Sequence, residues 1–267
     1  MTRIAKLFER LGREGQPGLI AYITAGDPDP GRTASLVLAL ERGGADLIEL
    51  GVPFSDPIAD GPVIQLASER ALQAGTTLHS VLDIARQIRA QSQIPLLLFS
   101  YMNPLVRYGF EALARDAVEA GIDGCLFTDL SVEEADPYVA SIRQAGLDTV
   151  FLAAPTSTKR RLELVARYST GFVYLVSRTG VTGERDSLSD SIGPLVENMR
   201  AVTSLPLAVG FGISKPEHAA SVGRLADAAV VGTAIVKLVE RHGSDPDLET
   251  RLEQFARELK QGLRRPS

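Results

Sequence analysis

The sequence predicts one α/β domain, residues 1–267, in which eight parallel strands alternate with helices and close into a (β/α)8 barrel, the TIM-barrel fold. Short runs rich in Val, Ile and Leu recur eight times, and each is followed by a polar turn and a stretch with helical spacing. The runs are continuously apolar, as expected of strands that are buried on both faces. Eight units leave about 33 residues each, close to the length of a βαβ crossover, and no linker divides the chain. These observations favour a closed barrel over an open doubly wound sheet.

The predicted elements follow one another along the whole chain. The strands are Leu19–Ala25, Asp46–Val52, Pro95–Tyr101, Gly124–Leu130, Asp148–Pro155, Gly171–Arg178, Pro206–Gly212 and Ala228–Ala234. The helices between them include Gly31–Arg42, Val63–Ala74, Phe110–Glu119, Glu133–Gln144 and Ser189–Thr203. Amphipathic spacing predicts an extra N-terminal helix at Thr2–Arg13 and a final helix at Leu248–Leu263. The glycines expected to end helices are Gly43, Gly121 and Gly146.

Composition excludes several classes of protein. The net charge of −5 argues against a nucleic-acid partner, which would require a basic face. The single cysteine, Cys125, excludes an intrachain disulfide and a multi-cysteine metal site, and it suits a reducing compartment. The first ten residues alternate charged with apolar side chains and predict no signal peptide. The longest nearly apolar stretch, Ile94–Met102, is too short to span a bilayer. We therefore expect a cytoplasmic protein with no membrane association.

The second strand carries a charged residue where a buried strand should have none. Alternation places Leu47 and Glu49 on one face and Ile48 and Leu50 on the other. The wholly apolar face should pack under the helices, so Glu49 is expected to point into the barrel near its mouth, where the active sites of this fold lie. An alternative is that Glu49 lies at a frayed strand end and reaches water or an arginine.

The loop that follows, Pro53–Pro62, contains three prolines and two aspartates. Either carboxylate could turn back over the mouth of the barrel. For Asp60 the sequence leaves two interpretations open, because Asp-Gly-Pro is also typical of a helix start, where Asp60 would cap the next helix. Asp56 is interpreted as a turn residue.

Glycine turns after the last three strands indicate a phosphate site. They contain Gly180 and Gly183, then Gly210 and Gly212, then Gly232 followed by Thr233. Glycine lets backbone N–H groups approach an anion closely, and loops after strands seven and eight commonly hold phosphate in this fold. The alternative is that these small residues only relieve crowding at the rim.

Absent residue types narrow the chemistry. None of the five lysines lies on a predicted strand, which disfavours a Schiff-base mechanism. The three histidines have no spacing that builds a metal site, and no dinucleotide fingerprint occurs. Cys125 falls at the start of a strand and is interpreted as a core residue. The sequence therefore predicts carboxylate acid/base chemistry on a phosphorylated substrate, without a metal or an organic cofactor.

Residues 49–62, ELGVPFSDPIADGP, resemble the signature of the tryptophan synthase alpha chain family. The resemblance extends from Gly18 to Lys237. It includes the segments Tyr101–Asn103, Asp129–Glu134, Ser177–Gly183 and Gly210–Ser214. Departures from the family pattern are Ser131 where proline is common, Tyr22 where phenylalanine is often found, and Thr233 where serine is frequent.

The resemblance implies a lyase of tryptophan biosynthesis that cleaves indole-3-glycerol phosphate to indole and glyceraldehyde 3-phosphate. By this resemblance Glu49 performs the proton transfers, and Asp60 accepts a hydrogen bond from the indole N–H. The residues implied to bind the substrate are Tyr22, Tyr101, Asp129, Tyr174, Thr182, Gly183, Phe211, Gly212, Gly232 and Thr233. The loop Arg178–Asp186 resembles the mobile lid of the family, with Thr182 meeting Asp60 on closure.

The resemblance also implies a partner, the pyridoxal-phosphate-dependent tryptophan synthase beta chain, in an α2β2 heterotetramer. Asp56, the Pro53–Pro62 loop and the segment Tyr101–Gly109 would form the contact region. Two rival interpretations remain at this point. One is another phosphate-binding barrel that acts as an isomerase or synthase on a related indole or anthranilate sugar phosphate. The other is a non-catalytic activator of the beta chain.

Overall fold

Eight parallel strands close into one barrel in the order in which they follow along the chain, which confirms the predicted fold class. The structure is a computed structural model that describes residues 1–176, 187–210 and 212–265, with side chains for all of these except 187–191. The strands are β1 (Gly18–Thr24), β2 (Leu47–Gly51), β3 (Leu96–Ser100), β4 (Gly124–Phe127), β5 (Asp148–Ala153), β6 (Val173–Val176), β7 (Leu207–Gly210) and β8 (Ala228–Val231). The pairing of β8 with β1 closes the barrel.

Twelve helices of the described residues pack around the outside of this barrel or across its ends. They are α1 (Arg3–Glu14), α2 (Pro30–Arg42), α3 (Pro62–Gln73), α4 (Leu78–Arg89), α5 (Met102–Tyr108), α6 (Phe110–Ala120), α7 (Asp136–Gln144), α8 (Lys159–Tyr168), α9 (Ser187–Arg200), α10 (Pro216–Gly223), α11 (Thr233–His242) and α12 (Leu248–Leu263). A 3-10 helix, Val132–Glu134, precedes α7. Within the described residues no helix is both long and apolar enough to cross a membrane.

One helix start is predicted three residues too early. The helix predicted to begin at Glu133 begins at Asp136, because Pro137 lacks an N–H donor and fits only the first turn of a helix. The helix α2 ends at Arg42 with Gly43 as its C-cap residue, as predicted, and the glycine with positive φ is the next one, Gly44 (105°). Gly121 and Gly146 have positive φ after α6 and α7, as predicted.

Strand alternation divides the core into two parts. One face of each strand packs under the outer helices, and the other face fills the barrel. The apolar face of α1 packs against the inward side chains at the N-terminal ends of the strands and closes that end of the barrel. This face contains Ile4, Leu7, Phe8 and Leu11. The extra helix predicted from the sequence is therefore a plug, and the C-terminal end is left for chemistry.

Aspartates at the starts of strands tie the N-terminal end together. Asp46 accepts a hydrogen bond from the backbone N–H of Leu19 on the preceding strand at 2.8 Å. Asp123 accepts one from Leu96 at 2.9 Å, and Asp227 accepts one from Leu207 at 2.7 Å. Sequence reasoning missed these aspartates, although Gly-x-Asp recurs before β2, β4 and at the start of β5. Their role is structural, because each pairs strands and is itself held by arginine or lysine.

Candidate active site

Glu49 points into the barrel close to its mouth. It shares the inner face of β2 with Leu47 and lies in register with Tyr22 on β1 and Leu97 on β3. Only 1% of Glu49 is exposed, and its Oε1 has no hydrogen-bond partner among the described residues. The interpretation of Glu49 as a frayed residue that reaches water or an arginine is therefore wrong.

Burial without a partner changes the charge of Glu49. An unpaired buried carboxylate is costly, so burial raises the pKa of Glu49 to about 8. The side chain is then mostly a neutral acid at pH 7 and can give a proton away. A strongly raised pKa of this kind is typical of general acids.

Asp60 lies in the loop between β2 and α3, and it does not cap the helix. The N-cap residue of α3 is Gly61, and no side chain accepts a hydrogen bond from the first turn. The Asp60 carboxylate instead accepts a hydrogen bond from the hydroxyl of Tyr101 at 2.9 Å. The helix-start interpretation of Asp60 is therefore wrong, and Pro62 alone begins the helix, at its first position.

Asp60 and Glu49 differ in charge at neutral pH. Burial raises the pKa of Asp60, the hydrogen bond from Tyr101 opposes the rise, and the resulting pKa is about 6. At pH 7 Asp60 is therefore mostly ionised, whereas Glu49 is mostly protonated. One opening thus contains a proton donor and a negative charge that can accept a hydrogen bond.

Two tyrosines complete the inner wall around the carboxyl groups. Burial raises the pKa of Tyr22 and of Tyr174, and the charges of Glu49 and Asp60 raise it further. All four groups are therefore within electrostatic reach of one another. A Cβ added to Gly51 would lie 2.4 Å from the Tyr22 hydroxyl oxygen, so the close approach of this ring requires glycine there.

The rim after β7 and β8 has the features expected of a phosphate site. Gly212 has φ of 57°, in the left-handed region that favours glycine. Gly232 is the N-cap residue of α11, and no side chain caps this helix. Thr233, its exposed first residue, begins a turn whose N–H groups and dipole suit an anion. Since β7 pairs with β8, both glycine turns lie on adjacent strands.

The other predicted site residues are distributed differently. Tyr101 is buried with its hydroxyl on Asp60, so it lies at the site. Asp129 is exposed, and its Oδ1 accepts a hydrogen bond from the N–H of Met102 at 2.8 Å, where α5 begins. Thr182, Gly183 and Phe211 lie outside the described residues, as does the predicted lid, 178–186.

Sequence reasoning missed an apolar wall of the site. Phe99 on β3 packs edge-on against Tyr22, with 5.1 Å between the ring centroids. Ile64, in the first turn of α3, packs against the same cluster. Alternation on β3 could have identified Phe99, because it lies two residues after the inward Leu97. These side chains offer a flat aromatic ring an apolar surface beside the two carboxyl groups.

The described residues offer no alternative centre for metal or thiol chemistry. No group of three His, Cys, Asp or Glu side chains in this part of the chain could hold a metal ion. Cys125 is buried in the outer core, and burial raises the pKa of its thiol to about 12. It is therefore a packing residue, as predicted.

Comparisons with known proteins agree with this geometry. The family model of the tryptophan synthase alpha chain matches residues 8–264. The tryptophan synthase alpha chain of Solibacter usitatus is 68% identical over 98% of both chains, and that of Geotalea uraniireducens is 51% identical over 99% of this chain and 98% of the relative. The solved structure of tryptophan synthase subunit alpha from Legionella pneumophila matches with a TM-score of 0.92 and 38% identity, covering 98% of each chain.

Proposed function

The chain belongs to the tryptophan synthase alpha chain family, and we propose that Glu49 and Asp60 are the acid/base pair with which it cleaves indole-3-glycerol phosphate. The protein is a lyase of tryptophan biosynthesis that forms indole and glyceraldehyde 3-phosphate. The observation that supports the residue assignment is that one barrel mouth holds two carboxyl groups in different surroundings: Glu49 is buried with no partner for its Oε1 among the described residues, and Asp60 accepts a hydrogen bond from the Tyr101 hydroxyl.

The reaction breaks the bond between C3 of the indole ring and the side chain. Protonated Glu49 donates its proton to C3, which makes the ring a leaving group and places positive charge on its nitrogen. Ionised Asp60 accepts a hydrogen bond from the ring N–H and stabilises that charge. Glu49, now a carboxylate, removes the proton of the adjacent side-chain hydroxyl as the C–C bond breaks and the aldehyde forms. The electron pair of the broken bond returns to the ring, and Glu49 is again protonated.

The remaining contacts orient the substrate. Tyr22, Tyr174 and Phe99 form the wall that receives the ring, and the N–H groups at Gly212, Gly232 and Thr233 hold the phosphate. Thr182, Gly183 and Phe211 are proposed to complete the pocket, with Thr182 meeting Asp60 when the 178–186 loop closes. A cytoplasmic location is part of this proposal.

The partner of this chain is the tryptophan synthase beta chain, and we place the contact on the outer side of the mouth. Ile58 in the Pro53–Pro62 loop is 86% exposed, and Val106 on α5 is 57% exposed. The loop and α5 also line a common cavity of about 410 Å³, the loop with Phe54 and α5 with Pro104. Exposed apolar side chains on two segments that line one cavity are typical of a protein interface. Two such contacts in an α2β2 assembly complete the proposal.

The function is tested by indole release from indole-3-glycerol phosphate, measured from pH 5 to 9.5 with and without beta chain. We expect slow release by the chain alone and a large rise with the partner. The plot of kcat/KM against pH should be bell-shaped, because activity requires ionised Asp60 and protonated Glu49. The rate should fall below about pH 6 and above about pH 8.

Other outcomes favour the rival interpretations. Release of indole only from the beta chain, at a rate independent of substitutions at Glu49, would make this chain a non-catalytic activator. Consumption of the substrate without indole would indicate an isomerase or synthase. A flat pH profile between 5 and 9.5 would contradict the assignment of the two carboxyl groups while leaving the lyase activity intact.

Val106→Glu should weaken partner binding, because a charge would be forced into an apolar contact without a counter-ion. We expect at least a tenfold rise in the Kd for the beta chain, measured by titration calorimetry. Val118→Glu on α6 is the matched control, since Val118 is 43% exposed beside the opposite end of the barrel. Equal affinity of the Val106 and Val118 variants would exclude the proposed surface.

A further inference from the structure

The hydroxyl of Tyr101 joins two hydrogen bonds at the mouth of the barrel. It accepts one from the backbone N–H of Ala59 at 3.0 Å and donates one to Oδ2 of Asp60 at 2.9 Å. We propose that Tyr101 is a positioning residue, which holds one Asp60 oxygen so that the other faces the N–H of the substrate ring. This inference rests on the proposed function of Asp60.

The backbone N–H of Ala59 limits where the hydroxyl proton of Tyr101 can point. An N–H group can only donate, so the Ala59 N–H occupies an acceptor position of the Tyr101 oxygen. The hydroxyl proton is then free to point to Asp60, which must accept it. A carboxylate accepts such a bond more strongly than a carboxylic acid, and the contact therefore favours ionised Asp60.

Tyr101 is itself held from three sides. Only 3% of the residue is exposed, and its ring lies 5.2 Å from the ring of Phe54, measured between centroids. Its carbonyl accepts a hydrogen bond from Ser100 at 3.0 Å. Asp129 binds the next backbone N–H, that of Met102, and fixes the chain immediately after Tyr101. Asp129 therefore acts on the site through Tyr101, in addition to any contact with substrate.

Among the described residues, Asp60 is the group at this mouth that titrates near pH 6. Glu49 stays neutral until about pH 8, because burial raises its pKa. The hydroxyls of Tyr22 and Tyr174 stay neutral at higher pH still, since burial and the nearby carboxylates raise the pKa of each. Burial also raises the pKa of Tyr101. The phosphate monoester of the substrate also titrates at about pH 6, but it is the same for every variant. A difference in the acidic limb between a variant and the unsubstituted chain therefore reports on Asp60.

Tyr101→Phe tests the inference, because it removes the hydroxyl and keeps the ring against Phe54. We expect the acidic limb of kcat/KM to move upward by about one pH unit. Activity at pH 6 should then fall about fivefold, because the ionised fraction of Asp60 falls from about one half to about one eleventh, and activity at pH 8 should fall less, with KM little changed. The 13C signal of the Asp60 carboxyl, assigned by its loss in Asp60→Asn, should titrate at a correspondingly higher pH without any substrate.

Tyr168→Phe is the matched control. Tyr168 also donates its hydroxyl proton to an aspartate, Asp136, but on the outer helices α7 and α8. This variant should leave both titrations unchanged. If Tyr101→Phe moved neither the acidic limb nor the carboxyl titration, the positioning role would be wrong. If the unsubstituted chain with its partner released no indole, the proposed function itself would fail, and the carboxyl titration would still decide the role of Tyr101.

Discussion

Glu49→Gln should reduce kcat for indole release by ~10²–10⁴-fold or more, with KM close to that of the unsubstituted chain. The amide has nearly the shape of the acid but can neither donate a proton to C3 of the ring nor remove one from the hydroxyl. One residue is assigned to both transfers, so the substitution removes both. Steady-state indole release with saturating beta chain, quantified after chromatographic separation from the substrate, measures the effect.

The same substitution should stabilise the fold at alkaline pH. The pKa of Glu49 is raised in the native state from 4.5 to about 8, so ionised Glu49 favours the unfolded chain. Stability from the neutral acid is present below about pH 4.5 and is lost progressively as the pH rises to about 8. The loss amounts to roughly 5 kcal/mol as an upper limit. Glu49→Gln cannot ionise, and its advantage in urea unfolding should be larger at pH 9 than at pH 5.

Glu119→Gln is the matched control, because Glu119 is an exposed glutamate on α6. It should keep full turnover and the stability profile of the unsubstituted chain. Wild-type turnover in Glu49→Gln would disprove the proton-transfer role. Low turnover with an unchanged pH dependence of stability would show that Glu49 is not a buried neutral acid, and would remove the physical basis for its role as a donor.

The position of Glu49 could be predicted because its signal is local. Alternation along five residues of β2 places its side chain on the inner face, and the repeated strand–helix pattern makes that face the inside of a barrel. The same reasoning applies to the packing role of Cys125. Each of these two predictions depends only on the fold class and on the few residues before and after the position in the sequence.

The role of Asp60 could not be predicted in this way. Asp-Gly-Pro is compatible with a helix cap and with a free carboxylate, and its immediate neighbours do not distinguish the two. The deciding contact is with Tyr101, which lies 41 residues further along the chain at the end of β3. Adjacent strands β2 and β3 bring the loops together, so only the folded barrel resolves the ambiguity.

The same distance in sequence hides the roles of α1 and Asp129. The amphipathic pattern predicts a helix at the N-terminus, but its apolar face closes the barrel because the inner residues of β1 to β8 offer it a complementary surface. The resemblance predicts that Asp129 lies near the substrate, and in the structure its carboxylate accepts a hydrogen bond from the backbone N–H at the start of α5, in the neighbouring unit. The hydrophobic periodicity of one strand–helix unit does not indicate which residues of another unit it will contact.

Asp60→Asn should lower kcat by ~10²–10³-fold while KM changes little. The amide keeps an oxygen for the ring N–H but removes the negative charge that stabilises the protonated indole. Ground-state binding rests on the phosphate and the apolar wall around Phe99 and Tyr22, which this change leaves intact. The acidic limb of the kcat profile should also disappear, because the group with pKa of about 6 is gone, whereas kcat/KM keeps an acidic limb from the phosphate of the free substrate, which titrates at about pH 6. Steady-state kinetics over pH 5 to 8 provides both readouts.

Asp56→Asn is the matched control, because it removes one negative charge from the same loop without changing Asp60. Asp56 is an exposed turn residue four positions earlier, and without the beta chain its substitution should change neither kcat nor KM. A rise in KM with unchanged kcat in Asp60→Asn would mean that the carboxylate contributes to substrate binding equally in the ground state and the transition state. Retention of the acidic limb of kcat in Asp60→Asn would assign the titration near pH 6 to another group, and the electrostatic role of Asp60 would then be wrong. The expected pattern, a loss confined to kcat together with a loss of the acidic limb, arises only if a negative charge at Asp60 faces the ring during bond breaking.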